Sequence, residues 1–146
     1  MSDTKVDFSM DPPPKEDLVR ILQGVQWDAK DEAIDLMITH RPHPSLMAMW
    51  AILMQEKKVV GFATLYLPPP QSLQTAPVFI GNFVIERALH GSGRGSFLLL
   101  KIEQWCSQMQ VKLLALQTLE SSTPFFKSKG FDANLDHSEI LFKSLI

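Results

Sequence analysis

A single α/β domain over residues 1–146, its mixed sheet layered between helices, is the fold class this sequence predicts. Three observations carry the expectation. Period-2 apolar alternation and 3.6-residue helical stripes take turns along the chain. Two long apolar runs are joined by the polar link Glu56-Lys57-Lys58, which marks an antiparallel hairpin. A third strand pattern ends in a glycine-rich turn that opens straight into an amphipathic helix, giving a three-layer plan. With 146 residues and 45% hydrophobic content, such a core closes without metals or disulfides.

Residues 5–10 alternate Val6, Phe8 and Met10 and predict a short first strand, which Pro12-Pro13-Pro14 ends because proline supplies no ladder donor. Two short helices follow. Leu18, Val19 and Leu22 share a face ahead of Gly24, and Ala33, Ile34, Met37 and Ile38 do so ahead of Pro42. Residues 47–55 and 59–67 are the hairpin strands. Beyond the loop at Pro68-Pro69-Pro70, residues 78–86 are β-branched and aromatic enough for a third long strand. Leu98, Ile102, Trp105 and Met109 recur at helical spacing, so a helix starts from Ser96 and runs to about Gln110. Residues 111–118 form the next strand. Ser122 or Thr123 can cap a short helix whose first position suits Pro124 and whose end suits Gly130. A last hairpin begins at Phe131, with residues 138–146 its better strand.

The one cysteine, Cys106, can neither bridge within the chain nor support a zinc site. The opening residues lack an apolar targeting stretch, and the longest apolar run, 46–54, is too short to span a bilayer. A soluble, cytoplasmic protein with no metal and no membrane association is expected. The formal net charge of -2 argues against nucleic-acid binding by counterion release. Residues 84–131 nonetheless carry Arg87, Arg94, Lys101, Lys112, Lys127 and Lys129 against Glu86, Glu103 and Glu120. An anion would favour that region.

The turn Gly91-Ser92-Gly93-Arg94-Gly95 lies between a strand and a helix. Such a turn presents several backbone N–H groups and the positive end of a helix dipole to one point, which suits a phosphate. Alternating glycines permit left-handed backbone and let an anion approach with no Cβ in the way. The spacing separates nucleotide classes: Ser96 stands where a dinucleotide fingerprint requires its third glycine, and the Gly-Lys-Ser/Thr of a Walker loop is missing.

His90-Gly91-Ser92-Gly93-Arg94-Gly95 resembles the Q/R-x-x-G-x-G/A coenzyme A signature of the GNAT acyltransferase superfamily. Phe126-Lys127-Ser128-Lys129-Gly130-Phe131 is similar to that family's second signature, Y-x-x-x-G-F. The resemblance covers nearly the whole chain. It implies a sheet whose central strand pair splays apart and an acetyl-CoA cosubstrate. By that resemblance, Phe83, Val84 and Ile85 offer main-chain groups to pantetheine and thioester. Gly91, Ser92, Gly93, Arg94, Gly95 and Ser96 hold the pyrophosphate, and Arg94 and Lys127 are candidate phosphate contacts. Phe126 stands where many members have a tyrosine that protonates the leaving thiolate, and His90 stands where they have Gln or Arg. The asparagine common before the short helix is also missing, with Leu119 or Glu120 in that region.

Acyl transfer to an amine needs a free lone pair, so some group must accept a proton. Glu86 and Glu120, each at the end of a strand beside the implied splay, are the candidate bases, and Asn82 could order a water. His40, His43 and His137 form no metal or relay pattern, and Trp27, Trp50 and Trp105 are expected as core or partly buried anchors. The expected partner is an amine acceptor, either a cationic small molecule or a lysine side chain. The positive charge is inferred from Asp28, Asp31, Glu32 and Asp35, which share one face of the second helix. A monomer or homodimer would serve. The competing expectation is a GNAT-fold module that binds acyl-CoA or a protein without turnover, and a nucleotide-phosphate binder ranks below both.

Overall fold

The computed structural model describes residues 3–117, 122–133 and 140–146. The chain runs β1 (Thr4–Ser9), α1 (Lys15–Gly24), α2 (Asp31–Thr39), β2 (Met47–Gln55), β3 (Lys58–Leu67), β4 (Val78–Ile85), α3 (Arg94–Gln108), β5 (Leu113–Gln117), α4 (Thr123–Ser128), β6 (Asp132–Ala133) and β7 (Ile140–Ser144). Among the described residues, seven strands form one sheet in the order β1-β2-β3-β4-β5-β7-β6. Every neighbouring pair is antiparallel except β4 with β5, which is parallel because α3 carries the chain back across the sheet.

Both faces of the sheet are covered, and the strand sequences show why. β3 is buried from Val59 to Leu67, and β2 buries Trp50 and Ile52 on one face and Ala51 and Leu53 on the other. Under α1 and α2, Leu18, Ile21, Leu22 and Ile34 close on Trp50, Ile52, Phe62 and Val84. Under α3, Leu98, Leu99, Ile102 and Cys106 close on Ala51, Leu53, Ala63 and Leu65. Trp105 sits at the edge of that second core, stacked on Phe8 of β1 with ring centroids 4.6 Å apart. The layered α/β plan expected above is the observed one.

Several boundaries differ from the expected ones. The third helix opens at Arg94 rather than Ser96, since Gly93 takes φ +86 and the next residue is already helical. Apolar periodicity cannot register Arg94 and Gly95. β4 stops at Ile85 because Arg87–Leu89 tighten into a single 3-10 turn. The last strand ends at Ser144 rather than Ile146, and residues 138 and 139 of the expected strand lie outside the described residues.

The decisive feature is where β4 and β5 part. Among the described residues their pairing comprises Val78 with Leu114, Phe79 with Ala115 and Ile80 with Leu116, and no described residue of β5 pairs with the rest of β4, which runs on to Ile85. On its other side β4 stays with β3, through a register irregularity opposite Thr64. There Thr64 Oγ accepts the Asn82 N–H at 2.7 Å and Nδ2 at 3.3 Å. A side chain at position 81 would lie 2.5 Å from Thr64 Oγ and from the Tyr66 ring, so only glycine fits the bulge.

Candidate functional site

The parting of β4 and β5 opens a cleft of about 620 Å³. Ile80, Gly81, Phe83 and Ile85 form its β4 wall, with Leu116 and Gln117 opposite. The glycine turn closes one end through His90, Gly91, Gly93, Gly95 and Ser96, and Ser122, Phe125 and Phe126 close the α4 side.

Among the described residues, no strand pairs with the cleft-side edge of this β4 wall beyond Ile80. Glu86 N–H bonds Val60 O at 2.7 Å, and Val84 O faces Gly61, so residues 84 and 86 turn their main chain toward β3. Strand alternation then turns the main-chain groups of Phe83 and Ile85 toward the cleft. Such an edge accepts an extended amide-bearing ligand as it would another strand. His90 reaches back from the turn and meets Ile85 O at 2.7 Å through Nε2.

The glycine turn is built for an anion. Gly91 and Gly93 have φ +77 and +86. The first bond of α3 is Phe97 N–H to Gly93 O, which leaves the N–H groups of Arg94, Gly95 and Ser96 at the open end of a 15-residue helix. Nothing lies within 4 Å of a Cβ added at Gly91. Ser92 Oγ donates to Leu89 O, and the Arg94 guanidinium bonds Gln55 Oε1 at 3.0 Å and Ser92 O at 3.4 Å.

The α4 side is aromatic. Phe126 is 5% exposed and meets Phe83, Phe125 and Phe131 at centroid distances of 5.3, 5.0 and 5.7 Å. It adds no hydroxyl to the cleft. Trp27 overhangs from the connection after α1, which stops in a Schellman-type turn: Gln26 takes φ +65 with its N–H on Gln23 O, and Trp27 N–H bonds Leu22 O at 2.9 Å.

Of the residues expected at the coenzyme, Phe83, Ile85, Gly91, Gly93, Gly95, Ser96 and Phe126 line the cleft together. Val84 packs beneath α1 and α2, while Ser92 and Arg94 support the turn from behind. The Glu86 carboxylate does not line the cleft; it pairs with Arg20 of α1 and, at 3.5 Å, with Lys58. Arg20 also bonds Val59 O at 2.7 Å, so this cluster ties α1 to the end of β4. Glu120 lies outside the described residues, as do Thr118, Leu119 and His137. Asp31 and Asp35 are held by Lys15 at 3.0 and 4.0 Å, and none of the four α2-side acids lines the cleft. The hydrogen bond that the Lys15 ammonium donates to the Asp31 carboxylate raises the pKa of Lys15 above its ordinary value.

Trp27, Phe125, Gln117 and the ring of His90 are cleft residues that the sequence reading did not assign. Phe125 had a signal, since both members of a Phe-Phe pair on a short helix cannot enter one core. Trp27 had none, because Gln26 gives no hint of its left-handed turn.

The model of the Acetyltransferase (GNAT) family matches residues 11–131. No curated protein sequence matches the chain. Among solved structures, Tetrahymena GCN5 superposes with a TM-score of 0.71 at 16% identity, covering 97% of this chain and 96% of that one. Ard1 from Thermoplasma volcanium gives 0.67 at 17% identity, covering 99% of each. PaiA N-acetyltransferase from Thermoplasma acidophilum, in complex with coenzyme A, gives 0.65 at 14% identity over 96% of this chain and 99% of that one. At these identities the likeness is one of fold.

Proposed function

The chain belongs to the GNAT acetyltransferase family, and from that premise we propose that it transfers an acetyl group from acetyl-CoA to a primary amine by direct attack in a ternary complex. The observation that carries the reading is the β4 edge, unpaired beyond Ile80 among the described residues, leading into a glycine turn at a helix N-terminus. The two parts of that site match the two parts of the coenzyme. Main-chain groups of Phe83 and the N–H of Ile85, whose carbonyl His90 holds, pair with the amide-rich pantetheine. N–H groups of the turn and the start of α3, those of Arg94, Gly95 and Ser96 among them, hold the pyrophosphate, with Ser92 bonded back to Leu89 O and the Arg94 side chain keeping the turn in shape. Acetyl-CoA supplies the activated thioester, and coenzyme A leaves as the thiol. Phe83, Phe125 and Phe126 keep water from the thioester, and the amine approaches where β4 and β5 diverge.

Glu86 and Glu120 enter this proposal with different tasks. Paired with Arg20 and Lys58, Glu86 serves to fix the end of β4. Glu120 is the candidate for taking the amine's proton, directly or through water. The acids around α2 act only as a field at a distance, since Lys15 already holds two of them.

Calorimetry and thermal shift with acetyl-CoA test the binding half. At a hundredfold excess over Kd, linkage predicts about 2.7 kcal/mol of stabilisation, or roughly 5–10 °C for a chain of this size. No shift at millimolar ligand sinks the reading. Thiol release across a panel of amines tests the chemical half. The second reading, a coenzyme-binding module without turnover, is favoured by the missing phenol at Phe126; it gains if acetyl-CoA binds and no amine releases thiol.

A further inference from the structure

We propose that His90 couples coenzyme binding to a proton: held at one ring nitrogen by the Ile85 carbonyl, it takes up a proton at the other when pyrophosphate enters the glycine turn. The inference rests on the coenzyme reading of the cleft. Ile85 O lies on the side of β4 turned away from β3, and His90 Nε2 is 2.7 Å from it. A carbonyl oxygen only accepts, so Nε2 carries the hydrogen, and in the neutral ring Nδ1 is then a bare lone pair. His90 is among the residues that line the cleft, with Gly91 and Gly93 of the turn. A lone pair repels a phosphate oxygen, whereas a protonated nitrogen gives it a charge-assisted hydrogen bond. Entry of the anion therefore favours the imidazolium. Gln or Arg at this signature position would donate at every pH. In His90 the second donor exists only in the charged ring.

The charged surroundings leave the phosphate as the natural counterion. Arg87 is on the same 3-10 turn and Arg94 opens α3, turned toward Gln55. Glu86, at the end of β4, is engaged by Arg20 of α1 and Lys58 of β3. Trp27 from the α1–α2 connection and Ser122, Phe125 and Phe126 from the α4 side bring no charge to the cleft. Since the bound state prefers the protonated ring, affinity should rise as pH falls.

The experiment is calorimetry with dephospho-coenzyme A, which lacks the 3′-phosphomonoester that would itself titrate near neutral pH. Parent and His90→Gln are compared from pH 6 to pH 8, in pairs of buffers that differ in ionisation enthalpy. The parent should absorb a fraction of a proton on binding, with Kd tighter by about tenfold at pH 6 than at pH 8. His90→Gln should bind with no proton uptake and a flat profile. Binding by the parent without proton uptake, or uptake that survives in His90→Gln, overturns the proposal while leaving the coenzyme reading intact. If the parent binds neither dephospho-coenzyme A nor acetyl-CoA, the coenzyme reading falls and this inference with it. Should His90→Gln fail to fold, parent proton uptake and the His90→Asn variant decide.

Discussion

Two glycines two residues apart should respond to alanine in opposite directions. Gly93 caps α3 with φ +86, where an L-residue costs about 1–2 kcal/mol. Gly95 lies in the first turn of α3, and a Cβ there would sit 3.5 Å from Phe125 Cζ and 3.8 Å from Ile85 Cγ1, ordinary contact distances. Relieved of glycine's conformational freedom, the helix gains about 0.5–1 kcal/mol. At roughly 2–4 °C per kcal/mol for a chain of this length, Gly93→Ala should melt about 2–8 °C below the parent and Gly95→Ala about 1–4 °C above it. Coenzyme affinity should fall in both. In Gly93→Ala the N–H groups lose their aim, and in Gly95→Ala a methyl group enters the cleft wall. Scanning calorimetry reads the first quantity and titration with acetyl-CoA the second. A Gly93→Ala protein as stable as the parent refutes the left-handed turn. A stabilised Gly95→Ala protein that binds acetyl-CoA like the parent refutes the cleft as the coenzyme site.

Thr64→Val removes the acceptor of the Asn82 N–H from a 1%-exposed position, so urea unfolding should show a loss of about 1–3 kcal/mol, with Thr64→Ser close to the parent. Cys106 is held by burial, with help from the Glu103 charge, at a pKa of about 12. Iodoacetamide should therefore leave it unlabelled in the native protein at pH 8. Because that folded value lies above the unfolded thiol's value of about 8.5, the associated stability is complete below that pH and is lost as pH climbs toward 12. Cys106→Ala should flatten this alkaline limb. Phe126→Tyr supplies a phenol to the aromatic side of the cleft and, on the proposed reaction, should raise kcat by roughly tenfold or more with little change in KM; an unchanged kcat removes the leaving thiolate as a limiting proton acceptor.

The fold was legible where one physical signal governs an element. β2 and β3 are buried on both faces, so their sequences are near-continuous apolar runs, and Met47–Gln55 is the observed strand with the expected ends. Amphipathic stripes marked α1, α2 and α3 through Leu18, Ile34 and Leu98, each of which is fully buried. Ends governed by hydrogen bonds rather than burial were less legible. The start of α3 is set by Gly93 and the end of β4 by a 3-10 turn, neither of which alters the apolar pattern.

In the site, the glycine turn was legible because conformation there depends on residue type: positive φ asks for glycine, and the chain supplies it at 91 and 93. The cleft beside it was not legible from composition or spacing, because it is made by an absence of pairing. Ile80 and Leu116 are the last bonded neighbours among the described residues, and nothing in the sequence of residues 81–85 marks that point. Beside the last bonded pair lies a local irregularity of β4 against β3 opposite Thr64, permitted by Gly81 and fastened by the Asn82 N–H. A single glycine inside an otherwise apolar strand is weak evidence for a bulge. The same reasoning explains why Glu86 looked like a site residue: its position at a strand end is visible in sequence, whereas Arg20, 66 residues earlier, becomes its partner only when α1 packs against β3 and β4. Charged groups at strand ends therefore need the tertiary partner before they can be given a task, while a backbone cradle is specified by the residues that form it.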